Sequence, residues 1–77
     1  MSKYEVRFTH PGMATATADS ADVGAEIARG GLAARAYREG PDWRGAAWVV
    51  ETASPHRTIR RYEVNARGIV VCTYRIR

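Results

Sequence analysis

From Lys3 to His10 apolar and polar residues alternate, Tyr4, Val6 and Phe8 against Lys3, Glu5, Arg7 and Thr9. That alternation is the pattern of a strand with one face covered and the other in water. Pro11-Gly12 then breaks it with the residues of a type II turn, proline presetting the first corner and glycine accepting positive φ at the second. Met13 to Ala18, rich in Ala and Thr, either returns as a weak second strand or stays irregular. Asp19-Ser20 can cap a helix, and Asp22 sits well near the positive end of its dipole. Val23 and Ile27, four apart with Ala28 beside them, form a narrow apolar stripe fit to lie across a sheet. Gly30-Gly31 is expected to end that helix, because two adjacent glycines in a helix interior cost about 2 kcal/mol. A helix running on to Tyr37 is the alternative.

The remainder reads as strands separated by turn chemistry. Leu32 to Glu39 is expected as a strand, followed by Gly40-Pro41-Asp42. Ala46 to Thr52 carries Trp48, Val49 and Val50 and ends at Ala53-Ser54-Pro55-His56. Arg57 to Val64 is a strand in which alternation fails, since Arg57 and Arg61 point one way, Arg60 the other, and Ile59 and Tyr62 fall on opposite sides. It is therefore two-sided or bulged. Asn65 to Gly68 turns the chain into Ile69 to Arg77, with Val70, Cys72, Tyr74 and Ile76 on one face and Val71, Thr73, Arg75 and Arg77 on the other. Short connections require antiparallel neighbours. The expected fold is α+β, one small domain over 1–77: an antiparallel sheet of about 4–6 strands with one short α-helix packed on one face. Its expected core is Tyr4, Val6, Phe8, Val23, Ile27, Trp48, Val50, Val70, Cys72, Tyr74 and Ile76.

Composition adds a location and a charge. With 45% hydrophobic and 26% charged residues the chain matches a globular domain. A single cysteine, Cys72, predicts a reducing compartment. The start MSKYEVRF has no apolar run behind a basic segment and predicts no signal peptide, and no span is long enough for a bilayer. The expectation is a cytoplasmic protein with no membrane partner, monomeric or homodimeric. Eleven of twelve cations are Arg. Met1 to Gly31 has a net charge of −1, whereas Leu32 to Arg77, with nine Arg and four acids, has +5.

Catalytic chemistry finds little support. His10, His56 and Cys72 have no zinc-type spacing, so no metal is expected. Cys72, between Val70 and Tyr74 on an apolar face, reads as a packing residue. The acids are scattered, no glycine-rich phosphate loop precedes a helix, and no cofactor is implied. An enzyme would need a pocket shared between subunits, with His10, His56 and Tyr62 as its polar groups.

What remains is an arginine surface. Arg57, Arg60 and Arg61 start one strand and Arg75 and Arg77 end the next. A hairpin about Asn65 to Gly68 would bring Arg57 and Arg61 near Arg75 and Arg77 on the helix-free face. Trp43 and Arg44 add an aromatic and a cation from a loop. Arg and Trp are favoured anchors at protein interfaces, and arginine-bearing sheets also hold phosphate backbones. The reading is a non-enzymatic protein-binding module, an inhibitor or adaptor acting on a larger protein or protein–nucleic-acid complex; direct nucleic-acid binding is the alternative. In size and character the chain resembles the very short proteins that phages and mobile elements encode, such as anti-CRISPR proteins. That resemblance covers no particular residues, so no site is carried over. A basic face clear of acids would favour nucleic acid, and a mixed face with exposed aromatics would favour protein.

Overall fold

The computed structural model describes residues 2–10, 12 and 14–76. It holds β1 (Tyr4–Phe8), β2 (Ala16–Ala18), α1 (Ala21–Glu39), β3 (Ala46–Glu51), β4 (Thr58–Val64) and β5 (Val70–Arg75). The strands form one antiparallel sheet in the order β2-β1-β3-β4-β5. This is the α+β architecture expected from the chain, a sheet with a helix on one face. The Met13 end of the expected second strand and Arg77 lie outside the described residues. Both β2 and β3 run antiparallel to β1 between them, so α1 crosses over the sheet to join two parallel strands. No helix among the described residues is long and apolar enough to cross a membrane.

The helix begins where its cap residue predicts. Ser20 has extended backbone and its Oγ accepts a hydrogen bond from the Val23 N–H at 3.1 Å. It does not end at Gly30-Gly31. It continues to Glu39 and stops at Gly40, whose φ of 101° leaves the helical region while its N–H still reaches the Ala36 carbonyl at 3.0 Å. The expected strand over Leu32 to Glu39 is therefore the second half of α1. The physical reason is burial. Leu32 is fully enclosed, and it continues a stripe of Gly24, Ala25 and Ala28 that faces the sheet. Burying Leu32 is worth about 1.5–3 kcal/mol, comparable with the glycine penalty.

The stripe also rotates the helix away from its expected seat. Val23 is 46% exposed and Ile27 only partly buried, so the larger apolar residues flank the contact line and the small ones occupy it. Gly24 shows why: a Cβ there would lie 2.9 Å from Val49 Cγ1 and 3.7 Å from the Ala18 methyl. Small residues let the backbone approach β3 and β2 closely. The core is thus Val6, Ala25, Ala28, Leu32, Ala47, Val49, Ile59, Tyr62 and Val64, with Tyr4, Phe8, Ile27 and Val70 partly buried around it. Val50 is buried too, from the other side of the sheet. Trp48, expected in the core, stands half-buried on the helix-free face, while Cys72, Tyr74 and Ile76 are exposed.

Two bulges account for Tyr74, Ile76 and the arginines of β4, whereas Trp48 lies on the helix-free face by regular alternation and Cys72 is exposed because α1 covers little of the edge strand β5. In the β3–β4 pair the register shifts so that Val49 faces Arg60 and Val50 faces Thr58, leaving Ile59 as the extra residue. Ile59 and Arg60 are consequently both buried on the helix side. In the β4–β5 pair Arg61 faces Tyr74 and Tyr62 faces Cys72, leaving Thr73 extra. Each inserted residue reverses the parity beyond it.

Substitutions at three helix positions test this seating through urea-unfolding stability. Leu32→Ala should cost about 2–5 kcal/mol, enough to unfold most of a domain this small. Gly30→Ala, on the exposed side with nothing within 4 Å of the added methyl, should stabilise by about 1 kcal/mol. Gly24→Ala should destabilise despite the same propensity gain, because its methyl meets Val49.

Candidate docking face of the sheet

The helix-free face is built by register. Arg7 on β1 lies opposite Trp48 on β3, Trp48 opposite Arg61 on β4, and Arg61 opposite Tyr74 on β5. Cations and aromatics therefore alternate in one row across four strands. Spacing between adjacent strands is about 4.8 Å, so the row is about 14 Å long. The Arg61 guanidinium stacks over the Trp48 ring at 5.4 Å from its centroid. Each arginine also has a carboxylate on its own strand. Arg7 Nε donates to Glu5 Oε1 at 2.7 Å, and Arg61 Nη1 lies 3.0 Å from Glu63 Oε2. The row is thus tied by contacts within the sheet, aromatic and locally neutral. Tyr74 is 46% exposed at its β5 end.

The structure disperses the arginines expected to form one patch. The first bulge sets Arg57 on the opposite side from Arg61; the Glu51 N–H bonds to the Arg57 carbonyl, and Arg57 Nε donates to Glu51 Oε1 at 3.1 Å. Arg60 is buried under the helix start, where Nη2 meets Asp22 Oδ1 at 3.1 Å and Nη1 reaches the Ala21 carbonyl at 3.4 Å. Burial opposes its charge, but the bond to Asp22 and the nearby Tyr62 hydroxyl outweigh it and raise its pKa above the usual arginine value. Arg60 is a structural cation that ties β4 to the first turn of α1. The second bulge puts Arg75 opposite Arg60, on the helix side and away from Arg61. Arg77 lies outside the described residues. Of the expected residues, only Arg61 belongs to the row.

The Trp43–Arg44 loop is likewise committed to the fold. Trp43 packs against the core and its ring meets His10 edge-on at 5.6 Å. His10 Nε2 in turn lies 2.7 Å from Arg35 Nη2, and because a guanidinium only donates, that nitrogen accepts. Arg44 Nη1 donates to the Pro41 and Trp43 carbonyls, both at 2.8 Å, and so closes its own loop. Gly45 is required beneath the indole, since a Cβ there would sit 2.4 Å from Trp43 Cη2. Among the described residues no group of three or more His, Cys, Asp or Glu side chains is placed to hold a metal ion.

Sequence reasoning set Arg7 on the water-facing side of β1 but not in the row, and it missed Trp48 and Tyr74 as surface residues. Arg7 alternates correctly on β1, but its neighbour is settled by β1 pairing with β3 rather than only with β2. A groove of about 510 Å³ between the second half of α1 and the β4–β5 hairpin was also missed; Arg29, Ala33, Tyr37, Trp43, Val64 and Val70 are among its lining. It exists only because Tyr37 is helical.

The contrast between neighbouring arginines is measurable in denaturant melts. Arg60→Ala should destabilise by about 2 kcal/mol, through lost packing and an unpaired helix start. Arg61→Ala, which removes an exposed stack, should cost less than about 1 kcal/mol. Equal losses would mean that both arginines are structural.

Compared with family models, with curated proteins and with solved structures, the chain matches none.

Proposed function

We propose that the chain is a non-enzymatic protein-binding module, an inhibitor or adaptor working in the cytoplasm, that docks a protein partner through the row Arg7–Trp48–Arg61–Tyr74. The observation that carries this reading is the pairing of each row arginine with a carboxylate beside an aromatic ring. Phosphate backbones are held by cations whose charge is available, and affinity rises with the number of phosphates neutralised. Glu5 and Glu63 reduce that charge locally. Arg, Trp and Tyr held in place on a rigid sheet are instead the residue types that dominate protein interfaces, where pre-ordered side chains lose little entropy on binding. The mixed face with exposed aromatics is the arrangement that favours a protein over a nucleic acid.

Arg61→Ala combined with Tyr74→Ala tests the reading, because both side chains are largely outside the core. The tagged protein is used to capture partners from its native host, with and without nuclease. A protein retained after nuclease by the wild type, and lost from the folded double variant, is the expected result. Retention by both, or recovery of DNA or RNA that weakens steeply with salt, would overturn it.

A further inference from the structure

β5 is the one strand of the row that the fold leaves open. Its outer edge has no neighbour in the sheet order, and α1 lies chiefly over β1, β3 and β4. Its backbone orientation follows from two hydrogen bonds. The Asn65 N–H donates to the Ile69 carbonyl at 2.9 Å, and the Val64 N–H donates away from β5, to the Gly45 carbonyl at 3.1 Å. Alternation then turns Ile69 and Val71 toward β4, and turns the N–H and C=O groups of Val70 and Cys72 outward. Thr73, the bulged residue, ends that regular stretch.

We infer that this edge pairs with β5 of a second copy, antiparallel, about a two-fold axis through Val71. The outward groups of Val70 and Cys72 flank Val71 symmetrically, so Val70 of one copy exchanges backbone bonds with Cys72 of the other and the reverse. Val71 then faces Val71 of the second copy in the close, non-hydrogen-bonded position. The side chains suit a like-charged partner. Ile69 to Tyr74 contains no charged residue, so copies of net charge +4 meet on a neutral segment. The same segment exposes Ile69 and Tyr74 at 49% and 46%, and Ile76, on the far side of Arg75, is 41% exposed. An acidic strand from another protein would find no cation between Ile69 and Tyr74, the stretch that pairs; the first is Arg75 at the end of β5.

Edge pairing over so short a segment buries less than a standard specific interface, so the dimer is expected to be weak and reversible. It joins two sheets edge to edge and places two docking rows on one continuous face. The inference stands apart from the docking reading, since a monomer would still carry one row.

Sedimentation equilibrium of the whole chain, from low micromolar to several hundred micromolar, reads the dimer directly. Wild type should shift from monomer to dimer across that range. Cys72→Pro removes an outward N–H that β4 does not use, and should stay monomeric with an unchanged circular dichroism spectrum. Should proline unfold the chain, Val71→Glu and Val71→Lys decide. Each alone places like charges opposite one another and should be monomeric, and an equimolar mixture should dimerise again. A wild type that remains monomeric throughout, or a dimer that survives in both Val71 variants, would overturn the proposal.

Discussion

The closeness of α1 to the sheet is the constraint from which the remaining geometry follows. A helix whose contact line is Gly24, Ala25 and Ala28 can lie with its backbone nearly on the side chains of β3, and Val49 fills the space that a larger residue at 24 would occupy. That approach leaves no volume for a thick aromatic core. The enclosed residues are accordingly Val, Ile, Leu and Ala, and Tyr62 is the largest side chain among the buried hydrophobics. Trp48 lies on the opposite face by alternation with Ala47 and Val49, which face the helix.

The bulges then determine which cation serves the fold and which serves the surface. Arg60 and Arg61 are adjacent and chemically identical. Parity places the first beneath the helix start, bonded to Asp22, and the second over Trp48. The extra residue Ile59 makes this division possible, because it fills the core at the position where Arg60 would otherwise have to be replaced by an apolar side chain. Burying an arginine is tolerable because Asp22 remains largely in water while it pairs, so only one ion of the two loses its hydration.

How far the chain could be read follows from the same two features. Alternation over Tyr4, Val6 and Phe8, the turn residues after β3 and β4, and the cap at Ser20 are local signals, and each gave its element. The helix end was not legible, because Gly30-Gly31 argues locally for a stop while Leu32 and the small-residue stripe argue for continuation only once a sheet lies beneath them. Faces beyond a bulge were not legible either. Period-two counting assigns Tyr74 to the side of Cys72 and Arg75 to the side of Val71, and a single inserted Thr73 reverses both. The arginine patch expected from composition depended on that count. Trp43 and Arg44 looked like a presented pair because nothing in the local sequence shows that the His10 ring meets the indole edge-on or that the guanidinium bonds its own loop.

The proposed docking row and the open edge meet at Tyr74, and that junction bears on how much surface so small a domain could offer a partner. A row about 14 Å long offers a partner few anchors, and three of its four members are held by contacts within the sheet. Tyr74 is the member nearest to β5's free edge. In the pairing proposed above Tyr74 lies just past the paired stretch, which ends at Thr73, so the second copy would extend the surface beside the ring. By linkage, a partner that binds the extended face more tightly than the single one must also strengthen the association of the two copies. With the pairing proposed above, the exposed apolar segment of β5 would let a 77-residue chain present a larger surface than one copy holds.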